Sequence, residues 1–291
     1  MDVERTVFII GSGRSGTTVL YHILATHPEV AWFSYWSNRF PGSPGWVRLH
    51  RLLDTPGLGT RLRRGIIARS WAARKFGLMP SEGEEIYRTY CGFRDDVRST
   101  EEDLDPGAER RLRSIIESHL ELTRKPRFVT KRTSNTQRLA LMNRMFPDAC
   151  YVHLIRDGRA VANSFMNVDW WRDHTIWWSS DTPSDWERQG RAPIELCALH
   201  WKHNVEEILA TKDALANYLE VRYERLVRDP RAEVLRINDF CGLPRDAASE
   251  EHIPEALPDM DRKWRSALSD DERSMIEDAA GDLLKTLGYL R

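Results

Sequence analysis

The sequence predicts an α/β chain, a single domain built on a parallel β-sheet with helices on its faces. Three observations predict it. Four short apolar runs, 7–10 (VFII), 127–131 (RFVTK), 150–155 (CYVHLI) and 218–223 (YLEVRY), are each followed by turn or helix signals at distances that suit parallel crossovers. The first run enters a glycine-rich turn that opens a helix. At 291 residues the chain is long enough for one large α/β domain, and nothing in its composition suggests disorder.

The elements follow in order. After 7–10, "GSGRSGTT" is the turn and Thr17 opens a helical pattern. Between 127 and 155 the pattern is strand, helix, strand, with "TQRLALMNRMF" at 136–146 placing Leu139, Met142 and Phe146 on one face before Pro147 and Asp148 stop it. The next crossover starts at Asp157, where Ala160, Val161, Ser164 and Phe165 recur at helical spacing. Right-handed parallel crossovers then give helices on the faces of one sheet.

Two regions break the regularity. Residues 36–80 carry nine Arg or Lys and one acid, Asp54, whereas 81–121 carry twelve acids and six arginines, so the two are expected to neutralise each other in part. Within the first, 61–77 combines Arg61, Arg63, Arg64, Arg69, Arg74 and Lys75 with Leu62, Ile66, Ile67, Trp71 and Phe76. Such a basic, aromatic helix suits an anionic or lipid-linked acceptor, or a peripheral membrane contact. From 169 to 186 the chain holds Trp170, Trp171, Trp177, Trp178 and Trp186, read as a partly helical excursion over the sheet.

The formal net charge is −1, so no global field draws in nucleic acid. Cys91, Cys150, Cys197 and Cys241 are scattered singly and read as reduced core thiols, which points to a cytoplasmic setting. No apolar run approaches the ~18 residues of a membrane span, so a soluble protein is expected. The pairs His22/His27 and His200/His203 lack a third ligand at metal-binding spacing and read as structural.

A glycine-rich turn between a buried strand and a helix directs several backbone N–H groups at one spot, where the helix dipole adds partial positive charge. An anion belongs there. A nucleotide-triphosphate loop would carry a lysine before its Ser/Thr. Here Gly16 holds that position, Arg14 stands earlier, and the strand ending at Ile155 is followed by Arg156 instead of a Mg²⁺-binding acid. The turn is built for an anion held by arginine and backbone, without metal.

"RSGTT" after a strand, followed by "FPDACYVHLIRDGRAVANSF", resembles the sulfotransferases that use 3'-phosphoadenosine 5'-phosphosulfate (PAPS), nearest to their protein-tyrosine and bacterial stand-alone branches. "VRYERLVRDP" at 221–230, "FCGLP" at 240–244 and "RKWRSALSDDE" near the end stand in the family's order. The resemblance covers both ends and the middle and is weak over 36–126 and 166–215, where the family varies its acceptor site. It implies a P-loop-like sulfotransferase fold over 1–291 and a nucleotide-binding transferase that moves sulfuryl from PAPS to a hydroxyl or amine, leaving PAP. The acceptor class stays open among small molecules, glycans and lipids. A P-loop kinase and a non-catalytic PAP-binding relative are the alternatives.

The resemblance also implies roles. The N–H groups of Ser15, Gly16, Thr17 and Thr18 would hold the 5'-phosphate, and Arg14 would face the sulfuryl group. Arg156 and Ser164 would clamp the 3'-phosphate, with help from Lys263. Tyr223 would lie on the adenine side, and Lys131, closing its strand, beside the donor's bridging oxygen. For the general base the protein-tyrosine branch has a glutamate just after "HP", where this chain has Ser34 and Tyr35. Glu82, Asp169 and His174 are the candidates; Glu82 is chosen, on the expectation that tryptophan surroundings raise its pKa.

Overall fold

The computed structural model describes residues 3, 5–75 and 77–290; Phe76 lies outside the described residues. Its centre is a five-stranded parallel sheet of order β2-β3-β1-β4-β5. The strands are β1 (Val7–Ile10), β2 (Val30–Ala31), β3 (Arg127–Lys131), β4 (Cys150–Ile155) and β5 (Asn217–Arg222). In register, Ile9 lies opposite Lys131, Ile10 opposite His153 and Ile155 opposite Arg222. The C-terminal strand ends therefore form one edge, the place where open α/β sheets bind ligands.

Alternation along the strands divides the core. Val7, Ile9, Val129, Val152 and Val221 face α1 (Thr17–Leu24) and its neighbours, whereas Phe8, Ile10, Phe128 and Tyr151 face the opposite layer. That second layer contains Leu112 and Ile116 of Pro106–Thr123, and Met142 of Leu139–Met145. A third cluster surrounds Trp201, fully buried in the helix Pro193–Thr211, and joins it to Gly158–Phe165 and Asp270–Thr286.

The predicted parallel α/β architecture is observed, with local differences. The two-residue β2 was too short to show a period. The helix expected over 136–146 begins as a 3₁₀ turn, Thr133–Arg138, and becomes α-helical only at Leu139–Met145. β5 ends one residue early, because Tyr223 opens the helix Tyr223–Arg228.

The basic segment forms a 3₁₀ stretch, Pro44–Asp54, then α2 (Leu58–Ile67) and α3 (Trp71–Lys75). Its expected neutralisation by 81–121 is instead largely local. Arg88 pairs with Glu84 and Glu85, Arg94 with Asp96, Arg111 with Asp105 and Arg113 with Glu109. Short sequence separation makes these contacts cheap in chain entropy. Over 169–186, Asp169–Asp173 is a 3₁₀ turn and Pro183–Arg188 a helix; Trp171 and Trp186 are buried, and Trp170 remains 59% exposed. All four cysteines are buried as free thiols. No helix among the described residues is long and apolar enough to cross a membrane.

Candidate active site

The turn after β1 delivers an anion cradle. Gly11, Arg14 and Gly16 have positive φ, and Arg14, at 67°, does so without being glycine. Such a conformation costs energy and persists where the surroundings over-determine it. Helix α1 starts immediately after Gly16 and has no side-chain cap. The N–H groups of Gly16, Thr17 and Thr18 take no backbone partner, whereas the Ser15 N–H, expected to join them, donates to Ser12 O at 3.3 Å. Ser15 thus closes the turn, and its Oγ is buried without a partner.

Gly16 explains the missing lysine. A Cβ there would lie 2.6 Å from Cδ2 of Tyr223, so the phenol ring occupies the space any larger residue would need. Tyr223 in turn carries Arg156, whose guanidinium sits 4.3 Å from its ring centre. A loop residue, a strand end and a helix start are locked together over 200 residues of sequence.

Arg156 is buried and donates to Arg14 O at 3.0 Å, to Met260 O at 2.7 Å and, at 3.4 Å, to Asp261 Oδ1. It is not paired with Asp157, which holds Arg159 instead. Arg14 donates through Nε to Ser164 Oγ at 3.0 Å. Burial lowers the Arg14 pKa, and the nearby guanidinium groups of Arg156 and Arg69 lower it further. Like charges held this close mark a site awaiting a counter-anion.

Lys131 closes β3 with only 4% of its side chain exposed, donating to Thr18 Oγ1 at 3.2 Å and pairing with Glu82. Glu82 Oε2 also accepts the Thr133 N–H at 3.5 Å. The expectation of a raised Glu82 pKa is corrected. Burial pushes it up, but Lys131, Arg132 and the Thr133 N–H outweigh burial and leave it below the ordinary value.

These groups line one cleft of about 440 Å³, walled by Arg14, Gly16, Thr17, Thr18, Glu82, Lys131, Arg156, Ser164 and Tyr223. Lys263 is exposed and outside that lining, and Asp169 is exposed at the start of its 3₁₀ turn. His174 lies in an adjoining recess with Asp95. Among the described residues, no group of three or more His, Cys, Asp and Glu is placed to hold a metal.

Sequence reasoning missed Arg69, Thr133 and Met260, which also line the cleft. Arg69 is the basic segment's contribution: it ends α2 at φ 51° and faces Trp170 across the cleft. Arg63, grouped with it by composition, is buried and bound to Asp54, Thr26 O and Leu53 O. Only its side-chain direction separates it from Arg69, and no local motif encodes that.

The chain is 27% identical over 159 residues to a putative protein-tyrosine sulfotransferase of Caenorhabditis elegans, covering 53% of this chain and 55% of the relative. A Caenorhabditis briggsae protein of the same description is 24% identical over 245 residues, 82% of this chain and 66% of its own. The chain thus spans roughly half to two thirds of the length of these relatives. A sulfotransferase from Mycobacterium avium superposes with a TM-score of 0.63 at 17% identity, over 98% of this chain and 77% of that one, a likeness of fold. The sulfotransferase family signature accounts for residues 6–247, so the chain belongs to the sulfotransferase family.

Proposed function

We propose that the protein transfers a sulfuryl group from PAPS to a hydroxyl of an acceptor, releasing PAP. One observation carries the reading: free N–H groups of Gly16, Thr17 and Thr18 share a single cleft with Arg14, Lys131 and Arg156. That is a site for two separated phosphates and a leaving group.

In this reading the 5'-phosphate lies on the α1 N-terminus, and the 3'-phosphate binds Arg156 and Ser164. The long Arg156–Asp261 contact yields to it, and Lys263, two residues on, joins when the segment draws in. Tyr223 bounds the adenine side. The acceptor oxygen attacks sulfur in line as the bond from sulfur to the bridging oxygen breaks. The electron pair stays on the 5'-phosphate of PAP, where Lys131 and Arg14 stabilise the growing charge. Glu82, deprotonated by its surroundings, takes the hydroxyl proton. The exposed Arg61, Arg64, Arg74 and Lys75, beside Trp71 at 72% exposure, support approach along an anionic surface; co-sedimentation with anionic vesicles tests that part.

The central experiment is a thermal-shift series followed by a transfer assay. PAP is expected to stabilise the protein without Mg²⁺, whereas ADP with Mg²⁺ is not, and labelled sulfate is expected to leave PAPS for an acceptor. Stabilisation by ADP–Mg²⁺ alone would support a kinase; PAP binding without transfer, a non-catalytic binder.

A further inference from the structure

Beside the donor cleft lies a recess of about 70 Å³, and the two share Gly13, Thr133 and Trp170 in their walls. Anything seated in the recess therefore abuts the place where the sulfuryl group is held. Its deeper wall is aromatic. Trp171 stacks on His174 with ring centres 5.6 Å apart and packs on Phe165 at 4.3 Å.

Among these rings are polar atoms with nothing to bond. Nε1 of Trp177 and Nδ1 of His200 are buried without a hydrogen-bond partner, and His200 as a whole is 7% exposed. An orphaned buried donor costs about 1–3 kcal/mol, so a ligand that satisfies it gains specificity. Burial holds the His200 pKa down at about 3, with His174 and His203 adding to the effect. The imidazole is therefore neutral, with one nitrogen donating and one accepting. Thr133, Ser134, Gln137 and Asn204 complete the wall with neutral hydrogen-bonding groups.

Charge narrows the ligand further. Asp95, in the same wall, is already paired with Arg132 and Arg138, and Glu82 with Lys131. No spare carboxylate remains here to hold an ammonium group. Volume narrows it again, because 70 Å³ admits roughly five water-sized groups. That is one edge of a hydroxylated ring and too little for a steroid nucleus or an acyl chain. A phenol brings a single oxygen, which is the reacting one, and leaves the Trp177 N–H and His200 unsatisfied.

We propose that the acceptor is a neutral saccharide, taken edge-first into this recess with its C–H face on the tryptophans and its spare hydroxyls on Trp177 and His200. The proposal rests on the sulfotransferase reading. In the reaction one sugar oxygen gains the sulfuryl group, its proton passes to Glu82, and PAP leaves with the bond pair.

The test presents the purified protein and PAPS with methyl glucoside, galactoside and mannoside, with N-acetyl-tyrosinamide and with 1-octanol, and follows PAP release and the sulfated product. At least one hexoside is expected to exceed the phenol and the alkanol tenfold or more in kcat/KM. Trp177→Phe, which keeps the ring and removes the donor, is expected to raise that hexoside's KM on the order of tenfold with PAP affinity unchanged. Preference for the phenol or octanol, or no hexoside product while PAP binds, overturns the proposal, as does an unchanged KM in Trp177→Phe. Absence of PAP binding fails the donor reading itself, and this inference with it.

Discussion

Arg14 and Ser164, 150 residues apart, meet through a 3.0 Å hydrogen bond from Nε to Oγ. The contact ties the anion turn to the helix after β4, so the positions assigned to the sulfuryl group and to the 3'-phosphate are mechanically linked. Arg156 adds a second tie through the Arg14 carbonyl.

Arg156→Ala is expected to remove most of the preference for PAP over adenosine 5'-monophosphate, about 2–3 kcal/mol for a lost charge-assisted pair. Calorimetric titration of both nucleotides measures it. Equal affinities in the unaltered protein would remove Arg156 and Ser164 from the 3'-phosphate site.

Lys131→Ala is expected to lower turnover on the order of a hundredfold, with PAP affinity nearly intact. Glu82→Gln separates charge from shape. Because Lys131 helps hold the Glu82 pKa down, the acid limb of kcat/KM should fall below the ordinary glutamate range, and Glu82→Gln should abolish that limb along with most activity. Full activity in the glutamine variant would exclude Glu82 as the base.

Gly16→Ala tests the packing that replaced a lysine. Alanine at φ 93° meets both backbone strain and the Tyr223 ring at 2.6 Å, a cost on the order of 1–3 kcal/mol. Lower Tm and weaker PAP binding are expected together. If neither changes, the ring is free to move and does not define the site.

Arg63 and Arg69 should behave oppositely despite their common segment. Arg63→Ala should lower stability by about 1–3 kcal/mol, because carbonyls buried in the fold lose their donor, and leave PAP affinity alone. Arg69→Ala should weaken PAP binding and leave the melting temperature alone. Chemical denaturation and titration of the two variants decide it, and identical profiles would contradict their separate placement.

Acid should destabilise the protein from near pH 6.5. Burial holds His50, His153 and His200 at pKa values of about 3. Below the unfolded histidine pKa the unfolded chain binds protons that the folded chain refuses, so stability falls with pH at about 1.4 kcal/mol per unit for each fully titrating site. His153→Gln should flatten the slope of Tm between pH 7 and 5. A flat profile in the unaltered protein would show these rings to be protonated when folded.

The sequence by itself determined the parallel α/β plan and the anion turn, because strand runs, a Gly/Ser turn and a helix start are local signals read within about ten residues. It also placed Arg14, Thr17, Thr18, Lys131, Arg156, Ser164 and Tyr223 at one site, since each stands at a strand end or one to two helical turns beyond it, where a parallel sheet gathers side chains at one edge. Glu82 was chosen from the sequence, but its lowered pKa was decided by Lys131, brought to it from 49 positions away. Tertiary structure alone turned Arg63 inward and Arg69 into the cleft, spent the Ser15 N–H on the turn and left Lys263 outside the cleft. Those outcomes depend on side-chain direction and on which partner reaches a group first. Packing sets both, and the order of residues in 36–80 and 254–263 carries no local period that reveals them.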